Sequence, residues 1–337
     1  MRANSNKQIS ANNPLAVLVV GCGNIAGIFD QDRLGSSLPF THAGAYSSDE
    51  RFTLVACVDP DDSRRIKFMD FWGVANGFRT IADVLNSDVQ FDVVSICSPS
   101  DCHEHDLEIA LRLKPKLIFC EKPVTTSLKE TKRLVDACRD NKILLAVNYS
   151  RRFDPDVLIL KADMDNGKWG QLRSVAGCYN KGLLNNGSHM IDLLHLLIGG
   201  MKIVKVGESI QDFFQNDSTV PVWLEGQKGL PIHIACGHAK DYSIFEIQFV
   251  FANGMLIMED GGLFWRERRV EDSNTFKGYR VLNEGVRRAG KYPGAMKQSV
   301  DNIYRAITKG EPLISSGDSA LHAQQMCEKI KQMVIAK

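Results

Sequence analysis

The sequence predicts an α/β protein with a parallel sheet in its first half and an antiparallel, one-face-buried sheet in its second. Three observations predict it. Short apolar runs alternate with helix-spaced segments as far as residue 150, the pattern of a parallel sheet covered by helices on both faces. The first of those runs ends in a glycine-rich turn. Beyond residue 150 the period changes: Phe245, Ile247, Phe249 and Phe251 share one face of a strand, with Glu246 and Gln248 on the other.

The elements follow in order. Residues 1–14 are polar and lack the apolar core of a secretory signal. Leu15–Val20 is a short buried strand running into Gly21-Cys22-Gly23-Asn24-Ile25-Ala26. Gly21 permits a tight turn, Gly23 lets the backbone approach a pyrophosphate, and a small residue at 26 lets helix and strand pack closely. Asn24 and Ile25 open the helix whose free N–H groups face the phosphates. A second strand, Thr53–Val58, ends at Asp59, placed to hydrogen-bond an adenosine ribose. Its distance from the glycines exceeds the usual ~20 residues, and the excess is assigned to an inserted loop, Phe29–Phe40. Strands Asp92–Cys97, Lys116–Cys120 and Ile143–Val147 complete the first sheet. Helices are expected over Asp62–Trp72, Thr80–Asn86, Cys102–Leu113 and Ser127–Asn141, the last opened by a Ser127/Glu130 capping box.

Ligands of such sheets bind beyond the carboxyl ends of the strands. Gly21, Asp59, Ser98-Pro99 and Glu121-Lys122 all fall there. The Leu117–Pro123 stretch, LIFCEKP, carries a lysine just past an apolar strand, where a desolvated ammonium needs a partner or a task. Lys122-Pro123 is also one of the few bonds that can be cis at low cost.

In the second half, Gln171–Lys181 reads as a strand and Gly187–Ile198 as an amphipathic helix ending at Gly199-Gly200. Asn253-Gly254 signals a two-residue hairpin. Helices Ala295–Thr308 and Asp318–Val334 close the chain. The division expected is a polar tail at 1–14, a dinucleotide-binding domain at 15–150, and a substrate-binding and oligomerisation domain at 151–337.

A length of 337 residues suits two domains, and 44% hydrophobic content can fill their cores. A net charge of +1 gives no pull toward nucleic acid or membrane. No run reaches the roughly 18 apolar residues of a membrane span. Nine cysteines, an odd number without a C-x-x-C pair, argue against a disulfide framework or zinc knuckle and suit the cytoplasm. Cys102-His103-Glu104-His105-Asp106 is the one metal-like cluster, but histidines two apart on a helix diverge, so no metal site is expected.

Together GCGNIAG, SICSPSDCHEH, FCEKP and NNGSHMIDLLHLLIG resemble the Gfo/Idh/MocA family of dehydrogenases, in family order and over most of the chain. The resemblance implies an N-terminal Rossmann domain and a C-terminal α/β domain with a large, mostly antiparallel sheet. It implies NAD(P)-dependent oxidation of a hydroxyl, or the reverse reduction, on a sugar, nucleotide sugar or cyclitol, by a homodimer or homotetramer. The family's lysine that contacts the reacting hydroxyl falls on Lys122, and its D-x-x-x-H pair falls on Asn185 and His189. His189 keeps the catalytic histidine, while Asn185 offers geometry without the charge of an aspartate. The branch it is most similar to is associated with saccharide and nucleotide-sugar metabolism.

The cofactor expected is NAD, because Asp59 would repel a 2′-phosphate; Arg64 and Arg65 leave NADP open. Cofactor contacts are expected from Gly21, Gly23, Asn24, Ile25, Asp59, Ser98, Pro99, His103 and Glu121. Asn148 and Arg152 join Lys122, Asn185 and His189 as substrate contacts, since residues 148–152 follow the last strand of the first sheet, where a cleft opens. Arg151 or Arg152 could grip an anionic substrate or form an interdomain ion pair. Asp192 and His195 read as structural. The basic run Lys277–Lys297 is a solvated loop or a phosphate clamp. The competing function is a non-catalytic dinucleotide or sugar sensor, favoured by Asn185 and opposed by Lys122 and His189.

Overall fold

The computed structural model describes residues 13–31 and 38–335. Six parallel strands form the first sheet: β1 Leu15–Val20, β2 Phe52–Val58, β3 Asn76–Phe78, β4 Val93–Ile96, β5 Leu117–Cys120 and β6 Leu144–Val147. They lie in the order β3-β2-β1-β4-β5-β6. β4 and β5 are buried at every residue, which is why they read as continuous apolar runs rather than alternating ones. The strand order reverses between β1 and β4, and that switch point opens a crevice at the carboxyl ends.

Three local readings are corrected. β3 is a short edge strand of sequence NGF with no apolar run to announce it. The capping box sits at Thr80 and Asp83. At Ser127 only half of one forms: its hydroxyl accepts the Glu130 N–H, while the Glu130 carboxylate turns to Arg133. Of the expected loop Phe29–Phe40, Phe29–Gln31 continues the helix after the glycine turn, and residues 32–37 lie outside the described residues. Asp30 then gathers the chain by accepting from the N–H groups of Phe40 and Thr41 and the Thr41 hydroxyl.

The second sheet contains β7 Leu172–Tyr179, β8 Lys202–Val206, β11 Val222–Glu225, β12 Pro231–Cys236, β13 Phe245–Phe251, β14 Gly254–Glu259, β15 Phe264–Asp272, β16 Arg280–Leu282 and β17 Val286–Ala289. Between β8 and β11 stands a separate two-stranded hairpin, β9 Ile210–Phe214 with β10 Asp217–Thr219. The order is β16-β15-β14-β13-β7-β12-β11-β8, with β17 on β15. Among the described residues of this sheet, only the β7–β12 pair is parallel. β13 alternates as expected, with its phenylalanines and Ile247 buried and Glu246, Gln248 and Val250 half-buried. The β13–β14 turn is Ala252-Asn253, and Gly254 already pairs with Phe251. Gly254 is there because a Cβ would meet the Arg268 carbonyl and the Trp169 ring.

The last two helices pack against the sheets, and the final one ties them together. Ala295–Lys309 buries Met296, Val300 and Ile303 among Val17, Val19 and Phe119 of the first sheet. Gly317–Ile335 places Ala320 and Ala323 in the core shared with the helix Leu128–Asp140, and Met326, Cys327 and Ile330 in the core under the second sheet. A cleft between the sheets results. Among the described residues no helix is long and apolar enough to cross a membrane.

Candidate active site

The cleft begins at the glycine turn. Gly21 has φ +86°, and a Cβ there would lie 2.7 Å from the Ser98 N, so only glycine lets β1 and the loop after β4 come this close. A Cβ on Gly23 would meet nothing within 4 Å, leaving the open approach that a pyrophosphate requires. Asn24 starts the helical segment, and Ile25 reaches the cavity described below. Asp59 is buried; it accepts from the Cys22 N–H at 2.9 Å and from the Asp61 N–H at 2.9 Å. Arg64 stands 3.5 Å from the same carboxylate, and Arg65 donates to the Asp59 carbonyl.

Ser98, Pro99 and His103 form a brace. The Ser98 hydroxyl donates to Asp106 at 2.6 Å. The fully buried His103 ring has Nδ1 2.7 Å from the Pro123 carbonyl and Nε2 2.9 Å from the Ser98 carbonyl. Both ring nitrogens are therefore committed to main chain, and the expected cofactor contact of His103 gives way to a stitch between the β4 and β5 loops.

Beyond β5, Lys122-Pro123 is a cis peptide. Lys122 Nζ donates to the main-chain oxygen and to Oδ1 of Asn185, 2.9 Å each. Burial lowers the Lys122 pKa, Glu121 and Asp217 oppose that effect, and Arg151 adds to it. Glu121 accepts from Asn148 Nδ2 at 2.6 Å, and His42 Nε2 lies 3.0 Å from the same oxygen. Burial alone would raise this carboxyl, but the His42 and Asn148 contacts and the Lys122 charge hold it below the ordinary range.

His189 lies near the N-terminus of the helix Ser188–Ile198, edge-on to the Tyr149 ring at 5.2 Å between centroids. Burial, with the charges of Lys122 and Arg151, pushes its pKa well below 6.5, so the ring is neutral near pH 7. The expected Asn185–His189 pairing does not form: Asn185 Oδ1 turns to Lys122, and Nδ2 donates to the Lys181 carbonyl.

Lys122, His189, Glu121, Asn148, Ser150 and Ile25 line one cavity of about 230 Å³, closed on its far side by Phe40, Tyr292 and Met296. Two buried polar atoms on its lining, Asn148 Oδ1 and His189 Nδ1, have no protein partner. With the open face of Gly23, they make the residues present a good fit to a dinucleotide.

Arg152 is corrected outright. It is buried, with Nε 2.7 Å from Asp192 Oδ2 and its other nitrogens on the carbonyls of Ile314 and Asp192. A guanidinium so enclosed ties three chain segments together and has nothing left for substrate. Asp192 accordingly serves structure, and burial pushes its carboxyl up to about 6 despite Arg152. Arg151 is the arginine whose charge acts on both Lys122 and His189. From the basic run, Arg287 pairs with Glu259 and Arg288 with Asp156, leaving neither as a free phosphate clamp.

Sequence reasoning missed His42, Asp217 and Tyr292. Thr41 before His42 carries an N-cap signal, realised by its bond from the Gly44 N–H. Nothing local marks the partner of His42, 79 positions away.

The model of the oxidoreductase family with the NAD-binding Rossmann fold matches residues 15–149. Inositol 2-dehydrogenase of Rhizobium meliloti is 30% identical over 149 residues, 44% of this chain and 43% of that protein. D-glucoside 3-dehydrogenase of Escherichia coli is 26% identical over 211 residues, 59% of this chain and 56% of that protein. The matched stretches thus span roughly half the length of these relatives. Among solved structures, the WlbA dehydrogenase of Bordetella pertussis, in complex with NADH and UDP-GlcNAcA, superposes with a TM-score of 0.73 at 17% identity, covering 95% of this chain and 96% of that one. That likeness extends the shared fold across both sheets.

The Arg152–Asp192 pair yields a direct test of its structural assignment. Arg152→Met should destabilise the fold by about 3–5 kcal/mol, because it strands a buried carboxylate. Arg152→Met with Asp192→Leu should recover much of the loss. Urea unfolding measures both, and a stable single variant with impaired substrate binding would restore the substrate role.

Proposed function

Because residues 15–149 match the Gfo/Idh/MocA oxidoreductase family, we propose that this chain is an NAD(P)-dependent dehydrogenase or reductase acting on a hydroxyl or keto group of a sugar, nucleotide sugar or cyclitol. The observation that carries the reading is the meeting of Lys122 and a neutral His189 on one cavity that also reaches Ile25, at the glycine turn. A nicotinamide held there would supply the hydride acceptor. In the oxidative direction, His189 takes the hydroxyl proton while Lys122 hydrogen-bonds the oxygen on which negative charge develops. The carbonyl product forms as hydride leaves the carbon, and reduction retraces the path. Two donor–acceptor groups converging on one cavity favour turnover over a sensing role.

Arg151 supports a substrate that carries an anionic group. Its guanidinium lies 3.7 Å over the Phe245 ring and 5.4 Å from the centre of the Tyr292 ring, and donates to the Gly261 carbonyl. Among the described residues no carboxylate stands within ion-pair distance of it. The acid that acts on it, Asp154, is pushed by burial up to about 7 and is only partly charged near neutrality.

Asp59 favours NAD over NADP, since a buried carboxylate at the end of β2 opposes a 2′-phosphate. Calorimetric titration should give the smaller Kd for NAD; tighter NADP binding would transfer the assignment to Arg64. A homodimer or homotetramer through the outer face of the second sheet accounts for its exposed Val204 and Trp223. A monomer in sedimentation at micromolar concentration would contradict that arrangement.

For catalysis, Lys122→Ala should lower kcat by roughly two orders of magnitude, the usual effect of losing one donor to a developing oxyanion, with cofactor affinity retained. The depressed His189 pKa has a definite sign. The imidazole stays neutral to below pH 6.5, so the acidic limb of the rate profile should lie below that value. Undiminished turnover in His189→Ala would return the chain to the sensor reading.

A further inference from the structure

The ammonium of Lys122 is held by two neutral oxygens of a single residue, Asn185. What holds Asn185 lies on the β9–β10 hairpin. Asp217 Oδ1 accepts from the Leu184 N–H at 2.9 Å, and Oδ2 accepts from the Asn185 N–H at 2.8 Å. Thr219 Oγ1 accepts from the Gly182 N–H at 2.8 Å, and Asp212 accepts from the Lys181 N–H and from the Thr219 hydroxyl, 2.8 Å each. Four main-chain donors between residues 181 and 185 thus meet side-chain oxygens of one short hairpin. Gly182, at φ +87°, is a glycine because a Cβ would run into Asp217.

We propose that Asp217 is a positioning residue for Lys122: it fixes the Asn185 oxygens that aim the ammonium and supplies one of the two carboxylate charges that balance it. The proposal rests on Lys122 being the donor to the reacting oxygen. The charged and titratable groups facing Lys122 come from four elements: Glu121 beside it, Arg151 after β6, Asp217 on β10, and His189 on the helix Ser188–Ile198. Glu121 is already engaged by His42 and Asn148. Arg151 repels the ammonium, and the neutral His189 contributes no counter-charge. Glu121 is the larger counter-charge and Asp217 the smaller, but Asp217 alone of the two also holds Asn185. Its charge reaches Lys122 across Asn185 rather than through an ion pair, since among the described residues no carboxylate lies within 4 Å of the ammonium. The two carboxylates favour the charged amine while leaving it a donor for substrate, whereas a direct ion pair would occupy it.

The test follows the titration of Lys122 itself in the full-length protein, by NMR of lysines labelled at Cε and assigned with Lys122→Arg. Asp217→Asn removes the anion, which disfavours the charged amine, so the Lys122 midpoint should fall by about one pH unit. Adding Asn185→Asp to that variant returns a carboxylate to the site and should bring the midpoint back. An unchanged midpoint in Asp217→Asn, or a fall that Asn185→Asp does not reverse, would overturn the proposal. If Asp217→Asn does not fold, Asp217→Glu decides instead, because it keeps the charge on a longer arm. A near wild-type midpoint with kcat reduced severalfold is expected, and an unchanged kcat would refute the positioning role. The titration needs no substrate, so failure of every sugar to be turned over would sink the proposed activity without bearing on this result.

Discussion

Burying the ammonium of Lys122 between two sheets is the constraint on which the site depends. Such a group loses its hydration and must be given acceptors and opposing charge, or it sheds its proton. The first sheet provides the strand end that carries it and Glu121 beside it. The second unit provides Asn185 and, behind it, Asp217. Neither half can hold the lysine in this state alone. The helix Gly317–Ile335, which packs on both cores, is thus part of the chemistry as well as of the fold.

A second consequence is the division of labour among the polar groups around the cleft. His42, Glu121 and Asn148 form a chain that starts at Ser95, inside the first sheet, and ends at the cavity wall. It keeps Glu121 ionised in a buried place. Arg152 and Asp192 do the converse, neutralising each other away from the cavity. Among the buried polar atoms left without a protein partner, two belong to residues of the cavity lining, Asn148 Oδ1 and His189 Nδ1. Buried polar atoms are rarely left unsatisfied, so their convergence marks where a bound molecule belongs.

The elements legible in the sequence were those with strong local signals. β1 with Gly21 and Gly23, the buried runs of β4 and β5, and the alternation of β13 each carry their pattern within a few residues. β3 was not legible because NGF has no apolar period and forms only by pairing along β2. The same physics divides the site. Lys122 and His189 sit in recognisable motifs, whereas His42 and Asp217 act through partners tens of positions away. Arg151 and Arg152 are adjacent and chemically identical in sequence. Their roles separate only once Asp192 closes on one and Phe245 on the other.

Asn185 shows how a departure from a motif can move a charge without removing it. The resemblance pairs position 185 with His189, where an aspartate would favour the imidazolium. Here the asparagine turns to Lys122, and burial with two nearby cations leaves His189 neutral. In the proposed role of base, a histidine that starts neutral needs no prior deprotonation, so it would be ready to accept a hydroxyl proton over a wider range of acidity. The negative charge appears one hydrogen bond further out, on Asp217, where it supports the lysine and leaves the histidine free. Carboxylate beside the base and carboxylate behind the donor are alternative ways to balance the same cluster of cations, and this chain is built for the second.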